Sequence, residues 1–329
     1  MNESQMRNRE MNQLVMGDAR VVDLDDRVIM DYLKQLNSLL LIRMLNPLII
    51  ACQQHRGAST VLLEGNASFK PKVDALQGEI YKRIRVLKTI NREYGHIIPE
   101  RAVVEIELEW EALVREWSTD TVITNFDFHS HFIEKLLGFM WDITQKAGYF
   151  LAPIVNVTPA GFHLDTSNAP FALRKSTLAN GAQIKKSEHH AVVTIVIRDI
   201  PELIETMAKV RGLATHTTVI GRCDRDHQMR LSTLLVEMNH QKEKLIKALR
   251  PLQHYMLSGM PALVDTLLHE HKLSQLPEMV NQEIIGRSEI TLESHHVFNF
   301  VTDIIEIYYA VIEQGITLIQ RNNERLLFS

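Results

Sequence analysis

Apolar residues recur at helical spacing along almost the whole chain, and that periodicity limits what it can fold into. In "DDRVIMDYLKQLNSLLLIRML", Val28, Ile29, Tyr32, Leu33, Leu36, Leu39 and Leu40 follow an i, i+3, i+4 pattern. Val73, Leu76, Ile80, Ile84, Leu87 and Ile90 repeat it, as do Phe300, Ile304, Ile307, Tyr308, Val311 and Ile312 near the end. No regular series of strand signals interrupts these stretches. "AVVTIVI" is β-branched enough for a strand, but its helical surroundings favour a helix. The expected class is all-α, arranged as two related up-down bundles of about eight helices that share long helices.

The expected organisation has four parts. Residues 1–23 are polar and charged and read as a flexible tail, without the apolar core of a secretory signal. Residues 24–149 form a first helical bundle. Its helices are expected from Leu24 to about Leu45, from Pro47 to about Glu64, from Val73 to near Gly95, from Pro99 to Trp117, and from about Asn125 to Ala147. Residues 150–190 hold three prolines, two glycines and many Ser, Thr and Asn, and read as a linker or long loop. Residues 191–329 form a second bundle, with helices from Ala191, from Met229 to Leu252, from Pro261 to His271 and from Val297 to Leu327. The most apolar window, Leu39 to Cys52, is broken by Arg43, Asn46 and Pro47 and reads as too short to span a bilayer.

A 329-residue chain with 45% hydrophobic and 23% charged residues can bury a large core. Its formal net charge of -4 gives no global attraction to nucleic acid or to an acidic membrane. Cys52 and Cys223 make no disulfide framework, so free thiols and a cytoplasmic location are expected.

One feature occurs twice. Ile42-Arg43, Pro47 and Arg56-Gly57-Ala58-Ser59-Thr60 in the first half are matched by Ile197-Arg198, Pro201 and Arg211-Gly212-Leu213-Ala214-Thr215 in the second. Each copy is followed by another glycine, Gly65 or Gly221. This self-similarity suggests two copies of one helical unit. Both arginines lie on small or apolar helix faces, with no acidic residue on their own stripes. A buried guanidinium stays protonated and must find an anion. A structural ion pair to another helix, for instance to Glu105, Asp142 or Asp303, is one solution. A small anion held between Arg56 and Arg211 is the other, with Ser59 and Thr215 adding hydroxyls. Gly57 and Gly212 would then let a ligand or a neighbouring helix come close. Arg43 and Arg198 are offset by about 140° from the motif arginines on a continuous helix, which points them at solvent or at other helices.

"LIIACQQHRGASTVLLEG" resembles the signature of the nitrate- and nitrite-sensing domain family, through Gln54, Arg56, Gly57, Ala58 and Ser59, with His55 where an acidic residue is usual. "IPELIETMAKVRGLATH" resembles that family's second segment, through Pro201, Arg211 and Gly212. The resemblance implies two helical bundles and a nitrate or nitrite site at Arg56 and Arg211. It implies a cytoplasmic signal-transduction protein that is not an enzyme and needs no cofactor. No output module is visible before the chain ends at "NNERLLFS". The signal is therefore expected to pass through a separate output protein, such as a regulator, kinase or cyclase, or through a homodimer. Direct contact with nucleic acid or a membrane is not expected. The alternative is a helical interaction scaffold with purely structural arginines.

Other chemistry is weakly signalled. The histidine pairs 129/131, 189/190, 269/271 and 295/296 diverge on a helix and read as solvated rather than as metal ligands. Cys52 shares the Arg56 stripe, so a nearby cation could lower its pKa, although a small core residue is the commoner role. Trp110, Trp117 and Trp141 read as packing residues.

Overall fold

The computed structural model describes residues 26–149, 186–252, 259–263 and 270–328, and no strand occurs among them. The principal helices are α1 (Asp26–Leu63), α2 (Lys70–Glu93), α3 (Glu100–Glu116) and α4 (Val122–Lys146). After the 150–185 segment come α5 (Lys186–Thr194), α6 (Ile200–Ile220), α7 (Arg225–Leu249), α8 (Glu270–Glu283) and α9 (Ser294–Phe328). The 1–23 tail lies outside the described residues, as does all of the 150–190 linker but its last five residues. Residues 186–190 of that linker are already helical. The helix expected from Pro261 to His271 falls largely outside the described residues as well.

One expectation about a break is corrected. Pro47 does not begin a new helix; it lies inside the 38-residue α1. An internal proline costs about 3 kcal/mol. Leu41, Ile42, Leu45, Leu48 and Ile49 around it are all buried, and each buried side chain of this size contributes roughly 1.5–3 kcal/mol. Burial therefore outweighs the lost hydrogen bond. In the second half, α5 passes into α6 through a π-helical turn at Ile195–Asp199, whose Ile195, Val196 and Ile197 are buried. "AVVTIVI" is thus helical, with a local widening that the β-branched pattern did not announce.

Continuity also lengthens the apolar stretch. Ile29–Leu63 is long enough to cross a membrane and contains an 18-residue window apolar enough to do so, with mean hydropathy 1.4. Its apolar side chains are largely spent on the core, where α1 packs extensively against α2 and α4.

The packing partners follow chain order. α1 packs mainly on α2 and α4, and α6 mainly on α7 and α9. The two sets meet where α1 touches α6 and α9, and where α4 touches α6. One apolar cluster runs through both sets, from Leu39 to Ile319. Ala58, Val73, Leu76 and Trp117 form a smaller satellite. Trp110 is fully buried in the main cluster. Gly65 and Gly221, which follow the two motif copies, both adopt positive φ, at 94° and 69°. Their shared role is to end α1 and α6 in a conformation that other residues resist.

The motif glycines differ from each other. A Cβ on Gly212 would come within 2.9 Å of the Phe126 ring of α4, whereas one on Gly57 would meet nothing within 4 Å. Close approach explains Gly212 only. Gly57→Ala is expected to raise stability by up to about 1 kcal/mol through helix propensity. Gly212→Ala is expected to lower it by about 1–3 kcal/mol through overpacking. Denaturant titration of the two variants checks the opposite signs.

Candidate functional site

Glu205 is the only acidic residue in the apolar run Leu203–Ala208 of α6, and it is buried with its neighbours. Such a carboxylate requires a cation, and Arg56 of α1 supplies it. Arg56 Nη1 lies 2.5 Å from Oε1 and Nη2 lies 3.3 Å from Oε2. The two side chains are only 2% and 4% exposed. Gln53 Nε2 donates to Oε2 at 2.9 Å, and Tyr309 of α9 donates to Gln53 Oε1 at 2.8 Å. The ion pair expected for Arg56 thus exists, but with Glu205 rather than Glu105, Asp142 or Asp303. Glu105 instead pairs with Arg101 on its own helix.

The rest of the Arg56 setting comes from α4. The guanidinium carbon stands 4.9 Å from the centre of the Phe126 ring, and Nη1 donates to Ser130 Oγ at 2.8 Å. Ser130 in turn donates to the Phe126 carbonyl at 2.7 Å. Arg211 of α6 is held in the same way by α9. Its guanidinium carbon is 4.9 Å from the Phe298 ring centre. Nη1 donates to Thr302 Oγ1 at 2.8 Å, and Thr302 donates to the Phe298 carbonyl at 2.7 Å. The two frames therefore match in ring, hydroxyl, spacing and distance.

They differ in the anion. No described carboxylate forms an ion pair with Arg211. Burial and, after it, the like charge of Arg56 push its pKa down to about 10, against partial compensation from Tyr309, Glu205 and Glu306. It remains protonated at neutral pH. Two guanidiniums and one carboxylate leave this buried group with one positive charge in excess.

The other expected site residues divide. Ser59 donates to the Arg56 carbonyl at 3.1 Å and accepts from Asn125 Nδ2 at 2.9 Å, so its hydroxyl is engaged within the protein. The Thr215 hydroxyl, one turn beyond Arg211, is buried without a partner. Gly57 faces open space and Gly212 faces Phe126. Arg43 reaches Thr317 and Gln320 of α9, at 3.3 and 3.4 Å. Arg198 lies over Trp141 of α4. Both are interhelical, away from the motif stripe.

The histidine expectation is corrected for His129 and His189, which are buried, as is His55; His131, His271, His295 and His296 are exposed as expected. His129 Nδ1 lies 2.7 Å from the Asn125 carbonyl, which can only accept, so Nδ1 carries the proton. His129 Nε2 must then accept from His55 Nδ1, at 2.7 Å. His55 Nε2 is left buried as an unpartnered acceptor beside Trp110. Burial pushes His55 and His189 down to about 4, and His129 well below its ordinary value. Cys52 is no thiolate either: burial raises its pKa and outweighs the opposing effect of Arg56. Among the described residues no group of three or more His, Cys, Asp or Glu side chains is placed to hold a metal.

Glu205, Gln53, Tyr309 and the two Phe/hydroxyl frames escaped the sequence reading. A signal for the frames was present. "FDFHS" (126–130) and "FNFVT" (298–302) repeat Phe-x-Phe-x-Ser/Thr near the start of α4 and α9. Comparison with family models, curated proteins and solved structures returned no match to the chain.

Two outcomes are expected. Arg56→Ala strands a buried carboxylate and should destabilise the fold by about 3–5 kcal/mol, measured by denaturant titration. Acid should also weaken the fold. The buried histidines stay neutral when folded, while the unfolded chain binds protons below about pH 6.5. Stability is therefore full above that pH and falls towards pH 4, by about 1.4 kcal/mol per pH unit for each such histidine. A melting temperature that holds constant between pH 7 and pH 5 contradicts this assignment.

Proposed function

We propose that the protein is a helical sensor of a small planar monoanion, nitrate or nitrite, built from two related up-down bundles and working in the cytoplasm. The observation that carries this reading is the repeated arginine frame. In one copy Arg56, stacked on Phe126 and bonded to Ser130, holds a planar oxyanion, the Glu205 carboxylate. In the other, Arg211 has the same ring and hydroxyl but no carboxylate among the described residues. The excess positive charge calls for one monovalent anion. The unpartnered Thr215 hydroxyl offers it a second donor on the Arg211 face. The motif resemblance narrows the anion to nitrate or nitrite, both of which suit the guanidinium fork.

A signalling route follows from the frame. Arg211 sits on α6, while Phe298 and Thr302 sit on α9. An anion at Arg211 would alter the balance of charge where these helices meet and shift the population between packings of the two. A separate output protein, or a second copy of the chain, would read that shift.

One observation favours the scaffold alternative: Arg56 is already neutralised inside the protein, by Glu205. Calorimetry with nitrate, nitrite, sulfate and chloride separates the two. Sensing predicts heat from nitrate or nitrite, and affinity weakened roughly tenfold or more in Arg211→Ala, because a charge-assisted hydrogen bond contributes about 1.5–3 kcal/mol. Absence of heat from both anions, or heat unchanged in Arg211→Ala, leaves the scaffold.

A further inference from the structure

The two frames also differ at one helix position. Six residues before Arg211 stands Glu205; six residues before Arg56 stands Ile50. Glu205 reaches across from α6 to the arginine of α1. Its counterpart Ile50 has no charge to offer Arg211. The duplication is therefore unequal in charge while equal in stacking and hydroxyl geometry.

We propose that Glu205 is a tethered anion: its carboxylate fills an oxyanion site at Arg56, and by filling it limits the paired frames to a single external monoanion. Three features fit this role. A carboxylate has the planar pair of oxygens shared by nitrite, nitrate and formate, and both oxygens lie along the guanidinium edge, at 2.5 and 3.3 Å. The site is built to hold it, since Gln53 donates to Oε2 and is itself fixed by Tyr309. The charge count then sets selectivity. With Glu205 in place, one monoanion neutralises the group, whereas sulfate would bury one negative charge without a partner. The selectivity part rests on the reading that the Arg211 frame takes an external anion; the tethered-anion part is tested without it.

The test uses Glu205 variants. In the double variant Glu205→Ala/Arg211→Ala only the Arg56 frame remains, and it is vacant. Its melting temperature is expected to rise with added formate or nitrate, beyond the effect of matched chloride. The same anions should not raise that of Arg56→Ala/Arg211→Ala. A double variant whose melting temperature ignores formate and nitrate overturns the tethered anion, even where wild-type protein binds nitrate. Should the vacancy prevent folding, Glu205→Gln decides instead. It keeps a hydrogen-bonding side chain of the same size and adds one net positive charge. Its affinity for sulfate relative to nitrate is expected to rise roughly tenfold or more, and an unchanged ratio overturns the proposal. Wild-type protein that gives no heat with any anion defeats the sensing reading alone, while the formate result still decides the role of Glu205.

Discussion

The ion pair between Arg56 and Glu205 is the constraint around which the molecule is arranged. It joins α1 to α6, the central helices of the two sets, inside an apolar cluster common to both. Taking two charges out of water is expensive, and their attraction repays it only where geometry and further hydrogen bonds are good. Here they are: Ser130, Gln53 and Tyr309 complete the group, and the Phe126 ring lies beside the guanidinium. Four helices, α1, α4, α6 and α9, must therefore keep register for one carboxylate to stay satisfied.

The same group explains why neighbouring positions have so little freedom. Phe126 stacks on Arg56 and also occupies the space that a side chain on Gly212 would need. Ser59 joins the Arg56 carbonyl to Asn125, and Asn125 fixes the tautomer of His129 and hence of His55. Gln53, His55, Arg56, Ser59 and Thr60 thus form one connected network inside a helix that is otherwise core. Arg211 has the same ring and the same hydroxyl contact but no counter-ion among the described residues, and in that asymmetry structure and proposed chemistry meet.

Local pattern made much of the architecture legible. The i, i+3, i+4 spacing yields the helices, and Gly65 and Gly221 mark two of their ends because only a left-handed residue suits those turns. The duplicated Arg-Gly pair pointed to both buried arginines, since a guanidinium on a small-residue face has to be neutralised somewhere. Pro47 misled because propensity acts within one turn, whereas the burial that overrides it comes from helices far along the chain. The histidines misled for the same reason: their spacing on one helix says nothing about His55 meeting His129 across two.

By itself, then, the sequence determined an all-helical chain with a twice-used arginine motif, because periodicity and repetition are properties of neighbours along the chain. Which anion answers each arginine was decided only by the tertiary structure. Glu205 is 149 residues from Arg56, and a contact at that separation exists only once α1 and α6 have packed. Packing also supplied the difference between the copies, giving Arg56 a carboxylate and Arg211 none among the described residues.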